Sequence, residues 1–192
     1  NSQWLDELTD AGLPFVLAVN RANDYPCVFS DDDIGMAAMV RHCLDRGARR
    51  FVYLDGSPVD SGQRRRHGFL SSIGDAPHRI IPGEFSLAAG RDAAPAVLSD
   101  RPDAVVCASD RIALGLIMGL RQAGVRVPED LMVTGADNTE LAQFAHPPLT
   151  TYDQMSPQCG RLCASLLLDH LDRGIPLESR VIPPTIHLRE SA

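Results

Sequence analysis

The sequence contains no lysine: all 18 basic residues are Arg, set against 25 acidic ones, for a formal net charge of −7. That balance argues against a segment that grips a phosphate backbone, which needs a basic surface. The missing lysine reads most simply as the composition of a GC-rich genome, since eighteen arginines cannot all fork carboxylates. Long apolar runs are missing too: none approaches the roughly 18 residues that span a bilayer. The opening residues, Asn1-Ser2-Gln3-Trp4-Leu5, lack the basic and apolar regions of a signal peptide. They also lack an initiating Met, so upstream residues are expected. Five Cys, an odd number without regular spacing, form no disulfide framework. They read as small apolar core residues in a reducing cytoplasm.

Catalytic signatures are absent as well. There is no Gly-x-Ser-x-Gly elbow, no Gly-x-x-x-x-Gly-Lys loop and no Gly-x-Gly-x-x-Gly turn. The six His are scattered, with no pair at ligand spacing on one helix. His67 and His146 read as surface residues rather than general bases. No enzyme, metal or cofactor is expected.

What is present is alternation. Apolar runs of strand length sit at Phe15 to Val19, Cys27 to Phe29, Phe51 to Leu54, Ile80-Ile81, Ala104 to Ala108 and Leu131 to Thr134. Between them lie stretches with helical spacing: Asp33 to Arg46, Ser61 to Ser72, Ser86 to Leu98 (weakened by Pro95), Asp110 to Ala123 and Ser156 to Arg173. Gly47, Gly124 and Gly174 stand where helix-stopping glycines would. Two short extended pieces close the chain. Strand-helix alternation implies parallel sheets with helices on both faces, and continuous apolar strands fit a sheet buried on both sides. The polar, Pro-containing stretch from Asp137 to Asp153 reads as a functional loop or a crossover.

Ligands of open parallel sheets sit beyond the carboxyl ends of the strands. That rule selects Ser109-Asp110, Asp137-Asn138 and Asp55-Gly56-Ser57, with Arg64-Arg65-Arg66 shortly after the last. Carboxylates, an Arg fork and an aromatic platform together suit a polyhydroxylated ligand. Each residue has a plainer reading. Asp110 suits an N-cap better than a ligand contact. Asp137-Asn138 serves equally as a turn. Arg64 and Arg66 read as a solvated helix face, and Phe85 is divided between core and site.

The stretch Arg101-Pro102-Asp103-Ala104-Val105-Val106-Cys107-Ala108-Ser109-Asp110-Arg111-Ile112-Ala113-Leu114-Gly115 resembles the core of LacI/GalR-type repressors. So do Gly124 to Asp137, Pro147-Pro148-Leu149-Thr150-Thr151, Arg65-Arg66-His67-Gly68-Phe69 and the closing Arg189-Glu190-Ser191. The resemblance runs along essentially the whole chain. It implies an α/β fold of the periplasmic-binding-protein type I: two Rossmann-like lobes with parallel sheets, joined by three crossovers, with the effector between them. The N-terminal lobe is expected to be incomplete. The lobes are expected at 1–46 with 152–176 and at 47–151 with 177–192. Matched position by position, the effector contacts are Arg65, Phe85, Ser109, Asp137 and Gln154. Ala136 departs from the aromatic usual before Asp137, Asn138 from the usual second Asp, and Ala48 from the usual His. The implied protein is a cytoplasmic homodimer that senses a small polar metabolite, in the first place a sugar. It would bind operator DNA through an N-terminal helix-turn-helix that this sequence does not contain. A transport binding protein of the same fold is the alternative. Asp137 and Arg65 are expected to face one cleft, and the helices near Asp33 to Arg46 and Arg64 to Ser72 are the expected pairing surfaces.

Overall fold

A computed structural model describes residues 3–192. In chain order it opens with α1 (Gln3–Asp10), β1 (Leu17–Ala18), β2 (Cys27–Ser30), α2 (Asp32–Asp45), β3 (Phe51–Leu54) and α3 (Asp60–Ser72). There follow β4 (His78–Ile81), α4 (Leu87–Asp92), α5 (Ala94–Asp100), β5 (Ala104–Cys107), α6 (Asp110–Gln122) and β6 (Met132–Thr134). The chain ends with α7 (Glu140–Phe144), β7 (Thr151–Asp153), α8 (Ser156–Arg173), β8 (Arg180–Ile182) and β9 (Thr185–His187). Among the described residues no helix is long and apolar enough to cross a membrane.

The chain divides into two units: the segment up to Asp31 with Met155–Pro183, and Asp32–Gln154 with Pro184–Ala192. This moves the boundaries expected from sequence. Residues 32–46 and 152–154 belong to the second unit, and 177–183 to the first. The reasons are local. Met36, Met39, Val40 and Cys43 of α2 are fully buried in the second unit's core. Tyr152 of β7 is buried in the same core, whereas β8 pairs in parallel with β2.

The first unit carries a parallel sheet ordered β1-β2-β8. α8 lies on it, and Val28, Cys159 and Ile182 form a small core. Gly174, at φ 68°, stops α8 in the left-handed conformation that glycine adopts without strain.

The second unit is built on a parallel sheet ordered β4-β3-β5-β6. Every residue of β3 and β5 is buried, so both faces of the sheet are covered. α2 packs with α3, and Phe69 of α3 stacks on Tyr53 of β3 at 4.8 Å. α4 packs closely on α6. Gly90 and Gly115 permit that approach, since a Cβ on either would strike the backbone of the facing helix. Pro95 does not weaken one helix but separates two. It stands in the first turn of α5, where its missing N–H costs nothing. Ser86 opens α4 by accepting from the Ala89 N–H at 3.0 Å. The polar stretch from Asp137 to Asp153 is not one loop: it holds α7 and β7, and β7 pairs antiparallel with β9.

Candidate functional site

At the carboxyl ends of β5 and β6, the second unit gathers a cluster around two buried arginines. Arg65, on α3, is 3% exposed. Its Nε donates to Asp32 Oδ1 at 3.1 Å, one terminal nitrogen to the Ala108 carbonyl at 2.5 Å and the other to Asp137 Oδ1 at 2.5 Å. Burial opposes its charge. The acidic groups around it, Tyr152, Asp137 and Asp32, nonetheless hold its pKa well above the ordinary value. Arg64 is 8% exposed, not the solvated residue its charge run suggests. It donates to Asp32 Oδ2 from Nε at 3.1 Å and from a terminal nitrogen at 2.7 Å, and it also grips Asp60. Arg66, on the third side of the same helix, is 51% exposed, as expected.

Asp32 is the partner common to both. It is fully buried in the first turn of α2, where the helix dipole favours an anion. Besides the arginines it accepts from the Tyr152 hydroxyl at 2.7 Å and from the Gln154 amide at 3.4 Å. A carboxylate out of water needs such pairing. The Tyr152 ring is held against Gly35, where a Cβ would come within 2.6 Å of it. Sequence reasoning missed Asp32 and Tyr152. In a run of three Asp, nothing marks the middle one as the residue that turns inward.

Asp137 differs from Asp32 in being partly open, with 28% of its side chain exposed. Its second oxygen accepts no hydrogen bond among the described residues. Burial raises its pKa, against the opposing pull of Arg65. Its N–H donates to the Tyr152 carbonyl at 2.8 Å. The backbone is left-handed at Asp137 (φ 114°) and Asn138 (φ 50°), a region that Asn and Asp tolerate better than most residues. The pair makes the turn, and Asp137 also presents a carboxylate to Arg65. Asn138 is locked from both sides, donating to Asp153 at 3.2 Å and accepting from Arg189 at 2.6 Å.

Asp110 is not the N-cap expected of it. Ser109 caps α6, its hydroxyl accepting from the Ile112 N–H at 3.3 Å. Asp110 instead holds the segments after β6. Its oxygens accept from the Thr151 hydroxyl at 2.6 Å and the Thr139 N–H at 2.7 Å. Burial pushes its pKa up to about 6.

The five residues singled out from sequence therefore share one neighbourhood. Phe85 lies with its ring centre 5.9 Å from the Arg65 guanidinium carbon, seated over Gly56 where a side chain would collide with it. Gln154 is joined through Asp32, and Ser109 follows the carbonyl that Arg65 binds. Arg65 and Asp137, expected to face one cleft, are in direct contact with each other. A surface groove of about 560 Å³, lined in part by Ile117, Arg121, Val125 and Pro147, shares no residue with the cluster.

A family profile described as "periplasmic binding protein-like domain" matches residues 40–192. The chain belongs to that family. It is 32% identical over 173 residues to the ribose operon repressor of Haemophilus influenzae, an alignment covering 85% of this chain and 52% of that one. The chain spans about half the length of the curated relatives it matches. A solved LacI family transcriptional regulator from Enterococcus faecalis with bound ribose superposes with a TM-score of 0.91 at 28% identity, covering 100% of this chain and 73% of that one. A transcriptional regulator CelR–cellobiose complex does so with a TM-score of 0.88 at 28% identity, covering 96% and 61%. The resemblance to LacI/GalR cores and the α/β fold it implies are both borne out.

Proposed function

We propose that the Arg65–Asp137 cluster is part of an effector site for an uncharged, polyhydroxylated small molecule, a sugar in the first place. The observation that carries this is the half-open carboxylate of Asp137. One oxygen is fixed by a buried guanidinium, and the other is left to accept a ligand hydroxyl. Arg65 contributes remaining N–H donors, Phe85 an apolar ring face, and Ser109 and Gln154 polar groups at the margin. The protein is read as a cytoplasmic LacI/GalR-type repressor whose effector shifts the population of its operator-binding state. The ribose and cellobiose in the structures of relatives support a sugar.

Pairing as a homodimer follows from the same reading. Ile34 of α2 and Leu70 of α3 are exposed at 53% and 42% on the helices expected to pair. Phe144, at 79%, offers a second surface. Light scattering at micromolar concentration tests the association, and a strict monomer of the full-length protein refutes it.

A thermal-shift series with D-ribose, other monosaccharides, disaccharides and purines tests the site. A sugar at about a hundredfold excess over its Kd adds about 2.7 kcal/mol of stability, and Asp137→Ala removes that shift. A shift produced by a phosphorylated or carboxylate ligand alone contradicts the reading. Transport binding is the competing role. A helix-turn-helix encoded upstream in the full gene excludes it, and a signal peptide supports it.

A further inference from the structure

Asp32 and Asp137 both hold Arg65, but they are placed for different tasks. Asp137 keeps an open oxygen and 28% exposure, whereas Asp32 is fully buried. The Asp32 oxygens receive five donors: two from Arg64, one from Arg65, one from Tyr152 and one from Gln154. That leaves no lone pair facing outward for a ligand. A guanidinium is a rigid planar fork. With Nε fixed on Asp32 and one terminal nitrogen on the Ala108 carbonyl, the plane of Arg65 is set. Its remaining terminal nitrogen then falls on Asp137. The chain also enters this unit at Asp32 and leaves it at Gln154, so one carboxylate ties both ends of the segment to the same arginine.

We propose that Asp32 is the positioning residue of the candidate site: it orients the Arg65 guanidinium toward Asp137 and the ligand without touching the ligand itself. This rests on the reading of Arg65 and Asp137 as ligand contacts, but the placement of Arg65 can be measured with no ligand present. The probe is hydrogen exchange at the Arg65 Nε–H, followed by NMR on the whole ¹⁵N-labelled chain and assigned by its loss in Arg65→Lys.

In the wild-type protein this hydrogen is protected. Asp32→Asn, which keeps the shape but loses the charge, speeds its exchange by about tenfold or more, as loss of a charge-assisted bond requires. Asp137→Asn leaves it near the wild-type rate. If Asp32→Asn does not fold, Tyr152→Phe decides, because it removes one anchor of Asp32 and leaves its charge in place. Tyr152→Phe is expected to speed the exchange more than Ser191→Ala, which loosens the same unit elsewhere. The proposal is overturned if Tyr152→Phe and Ser191→Ala act alike, or if Asp137→Asn exposes Arg65 as much as Asp32→Asn does. Failure of the effector reading would appear instead as unchanged ligand affinity in Asp137→Ala, with Arg65 still protected.

Discussion

Replacing Asp137 by Ala should cost ligand affinity more than it costs the fold. The side chain makes one hydrogen bond within the protein, to Arg65 at 2.5 Å, and Arg65 keeps Asp32 and the Ala108 carbonyl when that bond is lost. A bond to a charged group contributes about 1.5–3 kcal/mol, and the 28% exposure of Asp137 places its loss toward the lower end. The free oxygen can accept one ligand hydroxyl, so its removal weakens binding by about 1.5–3 kcal/mol, or roughly 10- to 150-fold. This is less than two such bonds would give, because Arg65 already occupies the other oxygen. Backbone strain must be separated from chemistry, since φ is 114° here. Gly is free of that strain and Ala is not. Asp137→Gly should therefore melt no lower than Asp137→Ala while binding equally weakly. Asp137→Asn keeps an acceptor for Arg65 and loses only the charge, so it should fall between wild type and Ala in affinity. Calorimetric titration with the ligand from the thermal-shift series, beside melting curves of the three variants, measures both quantities. Near-native affinity in a destabilised Asp137→Ala protein would show that Asp137 only shapes the turn.

Three further outcomes follow from the same geometry. The pKa of Asp110 is raised to about 6 in the fold, so the folded protein binds the extra proton, and its stability falls as pH rises from about 4 to about 6. A shift of that size corresponds to about 3 kcal/mol, and Asp110→Asn should flatten this part of a melting-temperature profile; an unchanged slope refutes the assignment. Gly35→Ala brings a Cβ within 2.6 Å of the Tyr152 ring, so it should destabilise the protein by about 1–3 kcal/mol as an overpacked site, whereas a neutral denaturation curve would mean that the ring moves freely. Ser191 is fully buried, donating to the Val133 carbonyl at 2.6 Å and accepting from the Thr150 N–H at 2.9 Å; Ser191→Ala strands the latter group and should cost about 1–3 kcal/mol in urea titration.

The strands and helices of this chain are written in its local pattern. β3 and α8 lie where the apolar run Phe51 to Leu54 and the helical spacing Ser156 to Arg173 put them. Strand ends then narrowed the site to a few loops, and Arg65 and Asp137 proved to be in contact across 72 residues of sequence. What stayed hidden depends on distant partners. Arg64 and Arg66 are equivalent in sequence, and only the packing of α2 on α3 buries one and exposes the other. Asp32 stands between two other Asp, and Tyr152 sits in a stretch that reads as loop. The lobe boundary missed α2 for the same reason: an amphipathic helix does not state which sheet it covers.

If the cluster is an effector site, a hydroxylated ligand meets the Arg65–Asp137 pair. A crystal structure of the protein with the sugar that most raises its melting temperature tests it directly. A ligand hydroxyl is expected within hydrogen-bonding distance of the free Asp137 oxygen, about 2.5–2.7 Å for a charge-assisted O–H···O bond, with a second ligand oxygen on the Arg65 guanidinium. A sugar bound in the groove beside Ile117 and Arg121, with Arg65 and Asp137 untouched, would contradict it.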